Sequence, residues 1–348
     1  MAKGKGKLRI GIIGLGIGKL HARGVQAYER GVLEAFCDID EKRLAEVAAE
    51  FGVSKTYTDY RDLCRDEDVD AVSICVPNAL HVPIAVYALR QGKHVLVEKP
   101  LSVNAASARR LVRAAEQSDR VVMMAFSTRF STIPQALKPI IERGELGEIY
   151  FAKAMFLRRK GIPGYGSWFT QKELAGGGPL IDLGVHILET TWWLMGCPKP
   201  VSAVGATYAK FGPREEGLGT WGTHIKGGKF DVEDHASGYI KFANGASLFL
   251  EASWAQHVEP TERRVELYGT EGGASFDPLT IYKDLYGQPV SIPLPVKKVP
   301  GHANEIRQFI DCCLDGTENP APLEHGLIVQ QMLDAIYKSS ETGREVKL

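Results

Sequence analysis

A chain of 348 residues is long enough for two domains, each with its own core. With 44% hydrophobic and 24% charged residues, it has the composition of a soluble globular protein. Lys plus Arg and Asp plus Glu each total 42, so there is no net field to draw in nucleic acid or an anionic membrane, and neither is expected as a partner.

The six cysteines (Cys37, Cys64, Cys75, Cys197, Cys312 and Cys313) form no C-x-x-C pair and no zinc pattern. No metal and no disulfide framework is expected, and a reducing, cytoplasmic location fits. Residues 1–7 are basic, but the apolar run after them is only 8–13, interrupted by Arg9 and Gly11. That is too short for a signal-peptide core, and no segment approaches the length of a membrane span.

From the N-terminus to about residue 125, short apolar runs alternate with amphipathic stretches. This is the pattern of βαβ units around a parallel sheet covered by helices on both faces, a doubly wound Rossmann-type α/β domain. The expected strands are 8–13, 32–37, 71–76, 94–97 and 121–126, with a shorter one near 55–57. Helices are expected over 41–51, 82–91 and 105–117.

The first strand runs into Gly14-Leu15-Gly16-Ile17-Gly18 and then a helix. Glycines there allow a tight turn and close approach of backbone to a pyrophosphate on the helix N-terminus. In the usual G-x-G-x-x-G spacing the third glycine would stand at Lys19, so Gly18 arrives one residue early. Asp38 ends the second strand, 20 residues after Gly18, where a carboxylate binds the adenosine ribose hydroxyls and repels a 2′-phosphate. No arginine follows it immediately, so NAD is expected ahead of NADP.

The next strand ends in Val76-Pro77-Asn78, with His81 three residues on, at the sheet edge where ligands bind; Asn78 could equally cap the following helix. The strand at 94–97 runs into Glu98-Lys99-Pro100. It places an ammonium where an alkoxide would develop, against the plainer reading of a surface ion pair.

Beyond about residue 126, strands are expected at 148–156, 201–208, 236–242, 246–253 and 264–268, with Asn244-Gly245 as a hairpin turn. They imply a second α/β domain, 126–348, built on a large, open, mostly antiparallel sheet, with closing helices near 303–315 and 323–340. Within it, Gly176-Gly177-Gly178-Pro179 enters a helix bearing Asp182 and His186 four residues apart on one face. So many glycines are locally costly, which suggests close approach of cofactor or substrate. Histidine can take and return a hydroxyl proton and Asp182 can orient it, although such a pair alone is more often structural than catalytic.

In these residues the sequence resembles the Gfo/Idh/MocA oxidoreductases. The shared features are the Gly14–Gly18 turn with His21, Pro77-Asn78-x-x-His81, Glu98-Lys99-Pro100, Arg129-Phe130, Trp168, the Gly176–His186 run and Val232-Glu233-Asp234. The resemblance spans essentially the whole chain. It implies NAD(H)-dependent hydride transfer to or from a hydroxyl or keto carbon of a sugar, cyclitol or related polyol, and a homodimer or homotetramer paired through the C-terminal sheet. It implies Lys99, Asp182 and His186 as the catalytic trio. Cofactor contacts are expected from Gly14, Gly16, Ile17, Gly18, Asp38, Pro77, Asn78, His81, Glu98, Lys99 and Trp168. Arg129 and Tyr165 join the trio as substrate-binding candidates. The alternative reading is a redox-cycling hydrolase or epimerase that retains NAD.

Overall fold

The structure is a computed structural model that describes residues 6–259 and 262–348, the side chain of Glu262 excepted; most of the basic N-terminal stretch lies outside these residues. The chain forms two compact units, Met1–Phe130 with Pro300–Leu327, and Ser131–Val299 with Ile328–Leu348.

The first unit opens with β1 (Leu8–Ile13), α1 (Gly18–Gln26), β2 (Gly31–Cys37), α2 (Glu41–Phe51), β3 (Lys55–Tyr57) and α3 (Tyr60–Arg65). It continues with β4 (Ala71–Ile74), α4 (His81–Arg90), β5 (His94–Glu98), α5 (Ala105–Glu116) and β6 (Val122–Ala125). The second unit carries α6 (Thr132–Glu142), β7 (Ile149–Leu157), α7 (Lys172–Ala175), α8 (Val185–Leu194), β8 (Pro200–Tyr208), β9 (His235–Phe242) and β10 (Ser247–Ser253). Next come β11 (Glu262–Gly269), β12 (Gly273–Ser275), β13 (Thr280–Leu285) and β14 (Gln288–Pro293). α9 (Gly301–Asp315) returns to the first unit, and α10 (Leu323–Thr342) and β15 (Val346–Lys347) finish the chain.

All six strands of the first unit pair in parallel in the order β3-β2-β1-β4-β5-β6. β4 and β6 are buried along their whole length, and β5 throughout except at its first residue, His94, as apolar runs between two helix layers require. Helix starts follow their capping residues: Asp40 accepts the Arg43 N–H at 3.0 Å to begin α2, and Asn104 accepts that of Ser107 at 2.9 Å to begin α5. The strand order reverses between β1 and β4, which opens a crevice beyond their carboxyl ends.

A single cut at 125/126 does not describe these units, because α9 packs in the first. Ile306, Phe309 and Ile310 form its fully buried face. Gly24 of α1 makes room for it, since a Cβ there would stand 2.9 Å from Ile306 Cγ1. Arg30 pins the far end through Asp311 at 2.8 Å and Asp315 at 2.6 Å.

The second unit is built on a nine-stranded sheet, β14-β13-β12-β11-β7-β10-β9-β8-β15, antiparallel except for the β7–β10 pair. Gly245, at φ +86°, makes the turn between β9 and β10. One face of the sheet is core, with Ala152, Ala154, Ile240, Leu248, Leu250, Val265 and Leu267 buried. The other is open: Phe151 stacks on Tyr268 at 5.4 Å beside half-buried Tyr239 and Phe249. The hairpin strands β12–β14 extend the sheet beyond the five strands expected from sequence. They are short or exposed and carry little apolar alternation. Among the described residues no helix is long and apolar enough to cross a membrane.

Candidate active site

The three glycines after β1 do different jobs. Gly14 adopts φ +88°, and a Cβ there would lie 2.4 Å from the Cys75 carbonyl oxygen. Gly18 opens α1 against β1, where a Cβ would lie 2.8 Å from Ile12 Cγ2. Gly18 thus supplies the close helix–strand packing for which the third glycine of the usual spacing is needed, so its early arrival costs nothing. Lys19, at the usual glycine position, points outward to Glu50 at 2.6 Å. Gly16 differs from both: a Cβ there would meet nothing within 4 Å. Ile17, the residue before α1, is partly exposed and makes no side-chain cap, so the first amides of the helix are not spent on one. An open cradle above uncapped amides at the switch point fits a pyrophosphate.

Asp38 follows β2. Its carboxylate accepts the Leu15 N–H at 2.8 Å and the Asp40 N–H at 2.9 Å, which fixes its place beside the glycine turn. The sequence shows no arginine directly after Asp38, but the fold supplies one. Arg43, in the first turn of α2, has a guanidinium nitrogen 3.6 Å from Asp38 and another 2.7 Å from Asp40.

At the end of β4, Pro77 leads into a short 3-10 turn, Asn78–Leu80. Asn78 is buried as the first residue of that turn, and Leu80, which precedes α4, makes no side-chain cap. His81 is buried with both ring nitrogens on carbonyls, at 2.7 Å from Pro100 and 2.9 Å from Val76. Burial holds its pKa below the ordinary histidine value although both carbonyls favour the cation. The ring therefore braces the end of β4 against the turn after Lys99 instead of facing a ligand.

Glu98 is likewise buried. One oxygen lies 2.8 Å from His21 Nε2 and the other accepts the Lys99 N–H at 3.0 Å. Burial opposes its ionisation, but the His21 ring holds the carboxyl below its usual range. Lys99, the next residue, is half-buried.

In the second unit, Asp182 sits in one turn of π-helix, Leu180–Gly184, and His186 in the first turn of α8. The single α-helical run expected there is thus interrupted, and π turns recur at functional sites. The shared face survives: from 177 to 192 only Asp182 and His186 are not fully buried. Asp182 Oδ2 accepts the indole N–H of buried Trp254 at 2.9 Å.

The glycines before this turn have a different cause from the one expected. A Cβ on Gly177 would stand 2.0 Å from the Tyr337 hydroxyl, and one on Gly178 would stand 1.9 Å from the Glu233 carbonyl oxygen. The close approach is made by the protein itself, not by a ligand. Glu233 accepts the N–H groups of Gly178 (2.8 Å) and Leu180 (3.1 Å) and the Tyr337 hydroxyl (2.8 Å). No sequence pattern points to Tyr337 or Trp254, and only the acidic pair Glu233-Asp234 before a strand hints at Glu233. Asp234 accepts three successive N–H groups, of Lys210, Phe211 and Gly212, and so anchors that loop.

Two expected substrate contacts are interior. Arg129 is fully buried in the first unit, bonded to the Pro320 carbonyl and, at 3.1 Å, to His325 Nδ1. Tyr165 is buried, stacked on Phe230 at 5.7 Å within the apolar cluster of Ile162, Leu183 and Trp254. Arg129 has no exposed surface and Tyr165 keeps 4%. Trp168 is half-exposed, against Phe169 at 3.7 Å between ring centres.

Residues 8–126 match the oxidoreductase family with an NAD-binding Rossmann fold, and 135–275 match the GFO/IDH/MocA C-terminal domain. The chain is 33% identical to D-glucoside 3-dehydrogenase of Escherichia coli (strain K12), over 98% of its own length and 97% of the relative's. It is 31% identical to levoglucosan dehydrogenase of Pseudarthrobacter phenanthrenivorans, over 78% and 73%. Among solved structures, a levoglucosan dehydrogenase in complex with NADH and levoglucosan superposes with a TM-score of 0.84 at 25% identity, covering 98% of this chain and 99% of that one. With both of its units matched and a full-length relative at this identity, the chain belongs to the GFO/IDH/MocA oxidoreductase family.

Proposed function

We propose that this chain moves a hydride between the nicotinamide of NAD(H) and a hydroxyl-bearing carbon of a sugar, cyclitol or related polyol, with Lys99, Asp182 and His186 as its catalytic residues. Gly16 carries the cofactor part of this reading: it alone in the glycine turn is needed for no internal contact and lies against open space. Gly14, Gly16, Gly18 and the start of α1 would hold the pyrophosphate, with Asp38 on the adenosine ribose. Bound NAD(H) supplies or accepts the hydride.

The remaining chemistry falls to side chains of this protein. The Lys99 ammonium stabilises negative charge on the substrate oxygen, which lowers the cost of losing its proton. His186 takes that proton and returns it in the reverse direction. Asp182, steadied by Trp254, orients the imidazole or a neighbouring hydroxyl. The relatives named above are dehydrogenases, which does not favour the redox-cycling alternative.

The test is a panel of glucosides, levoglucosan, free sugars and inositols assayed with NAD+ and NADP+ for growth of reduced-cofactor absorbance. Turnover with at least one closed-ring sugar or cyclitol is expected. No cofactor reduction with any member, nor oxidation with the matching ketones, would refute the reading.

The open sheet face bearing Phe151, Tyr239, Phe249 and Tyr268 supports pairing with a second copy, as a homodimer or homotetramer. Light scattering checks it: a monomer at micromolar concentration rules it out. Six free cysteines support a reducing, cytoplasmic location.

A further inference from the structure

Cysteines and histidines close together in the sequence form no metal-binding pattern. The fold assembles a different set inside the first unit. α1 contributes His21, the last residue of β5 contributes Glu98, and α9 contributes His302 and Glu305, three residues apart on one helix face. One nitrogen or oxygen from each lies within 4.8 Å of every other. His21 and Glu305 are fully buried, Glu98 is nearly so, and His302 is half-buried.

The cluster is unbalanced as it stands. Both carboxylate oxygens of Glu305 are buried without a hydrogen-bond partner. Protein interiors rarely tolerate that, because the lost hydration of a carboxylate is not returned. The nearest group able to carry positive charge, His21 Nε2, is 3.9 Å away and already lies 2.8 Å from Glu98. Meanwhile the outer contacts are arranged as in a ligand shell. Ser73 Oγ lies 2.8 Å from His21 Nδ1, which leaves Nε2 turned inward; the Lys99 N–H engages one Glu98 oxygen, which leaves the other inward.

We infer that His21, Glu98, His302 and Glu305 form a binding site for one divalent first-row metal ion, with Zn2+ the best match to the donors. Two carboxylates neutralise a dication when both imidazoles are neutral, and a set of two nitrogens and two oxygens without thiolate suits Zn2+ in a four-coordinate site. Tetrahedral bonds of about 2.0–2.2 Å hold the donors about 3.4 Å apart, so side-chain rotation would have to draw the more distant donors inward and open the 2.8 Å contact between His21 and Glu98. With all four positions taken by protein the ion is structural: it ties α1, β5 and α9 together and so steadies the strand end that presents Lys99. The site does not depend on the redox reading, and its test uses neither NAD nor sugar.

Full-length protein is stripped with a chelator, then titrated with Zn2+ in competition with a chromophoric chelator, with thermal unfolding followed in parallel. Uptake of one equivalent with a Kd below about 1 μM and a higher melting temperature is expected. Glu305→Gln and His302→Asn should each weaken uptake at least about 100-fold while leaving the far-ultraviolet circular dichroism unchanged. Absence of stoichiometric uptake by the wild-type chain overturns the inference, as does uptake of equal strength in a folded variant, which would place the ion on other histidines. If Glu305→Gln does not fold, the half-buried His302→Asn decides by the same readout.

Discussion

The Gly178 N–H donates to Glu233 Oε2 at 2.8 Å, which sets a buried carboxylate at the start of the turn that carries Asp182. Burial pushes the Glu233 carboxyl above its usual range, while the amides at this helix start and the Tyr337 hydroxyl favour its charged form. Replacing it by Gln keeps the shape but sets an amide NH2 against N–H donors. Glu233→Gln is therefore expected to lower the melting temperature and cut turnover at least about tenfold, with NAD affinity unchanged. Calorimetry, steady-state kinetics and NAD titration check this; a variant with normal turnover removes Glu233 from the support of Asp182.

The glycines separate packing from ligand binding. Gly178→Ala forces a Cβ to 1.9 Å from a carbonyl oxygen and is expected to destabilise the fold by about 1–3 kcal/mol or more. Gly16→Ala meets no protein atom, so its stability should change by less than about 0.5 kcal/mol while NAD binding weakens sharply. Denaturant unfolding and NAD titration of both variants report the contrast. A Gly16→Ala variant with full NAD affinity moves the cofactor away from this turn.

Lys99→Ala and His186→Ala are each expected to reduce turnover at least about 100-fold, with NAD affinity nearly intact. Steady-state rates alongside NAD binding make the distinction. Near-normal rates in both variants defeat the assignment of the catalytic residues.

Cofactor choice should depend on Asp38 and Arg43 together. Asp38→Asn keeps an acceptor for the Leu15 N–H but removes the charge, so the preference for NAD over NADP is expected to narrow about tenfold or more. Arg43 stands 3.6 Å away with its other nitrogen on Asp40, and the nitrogen that faced Asp38 can then meet a 2′-phosphate; adding Arg43→Ala should reverse much of the gain. The ratio of kcat/KM values for the two cofactors measures this, and an unchanged ratio in Asp38→Asn takes Asp38 off the ribose.

His325 makes stability depend on pH. Burial, then the neighbouring Arg129, lowers its pKa from 6.5 to about 4. Above pH 6.5 the ring is neutral in folded and unfolded chains alike and has no effect. As pH falls from 6.5 to about 4 the unfolded chain takes up a proton that the folded one refuses, so stability declines across that window. His325→Gln should flatten the decline in melting temperature between these values; an equal slope in the variant rules the mechanism out.

Much of the first unit was legible because its signals are local. Continuous apolar runs marked the parallel strands, the glycine turn marked the first crossover, and Asp38 fell where a ribose carboxylate belongs. Gly18 looked displaced, because spacing along a chain does not tell which glycine meets Ile12. Pro139 hid α6, since an interior proline forfeits a helix hydrogen bond that packing must replace. The partly exposed β12–β14 escaped notice because strands that bury little carry little hydrophobic pattern.

By itself the sequence determined the fold class and the glycine turn after the first strand, and it offered Lys99, Asp182 and His186 as candidates for proton chemistry, because each is written in periodicity or in a motif a few residues long. Tertiary structure alone decided that α9 joins the first unit, that Arg43 stands beside Asp38, that Arg129 and Tyr165 are interior, and that Gly177 and Gly178 yield space to Tyr337 and Glu233. It also gathered His21, Glu98, His302 and Glu305 from three distant segments. Such contacts arise from the packing of elements remote in the chain, and no local pattern encodes which side chains that packing brings within a few ångströms.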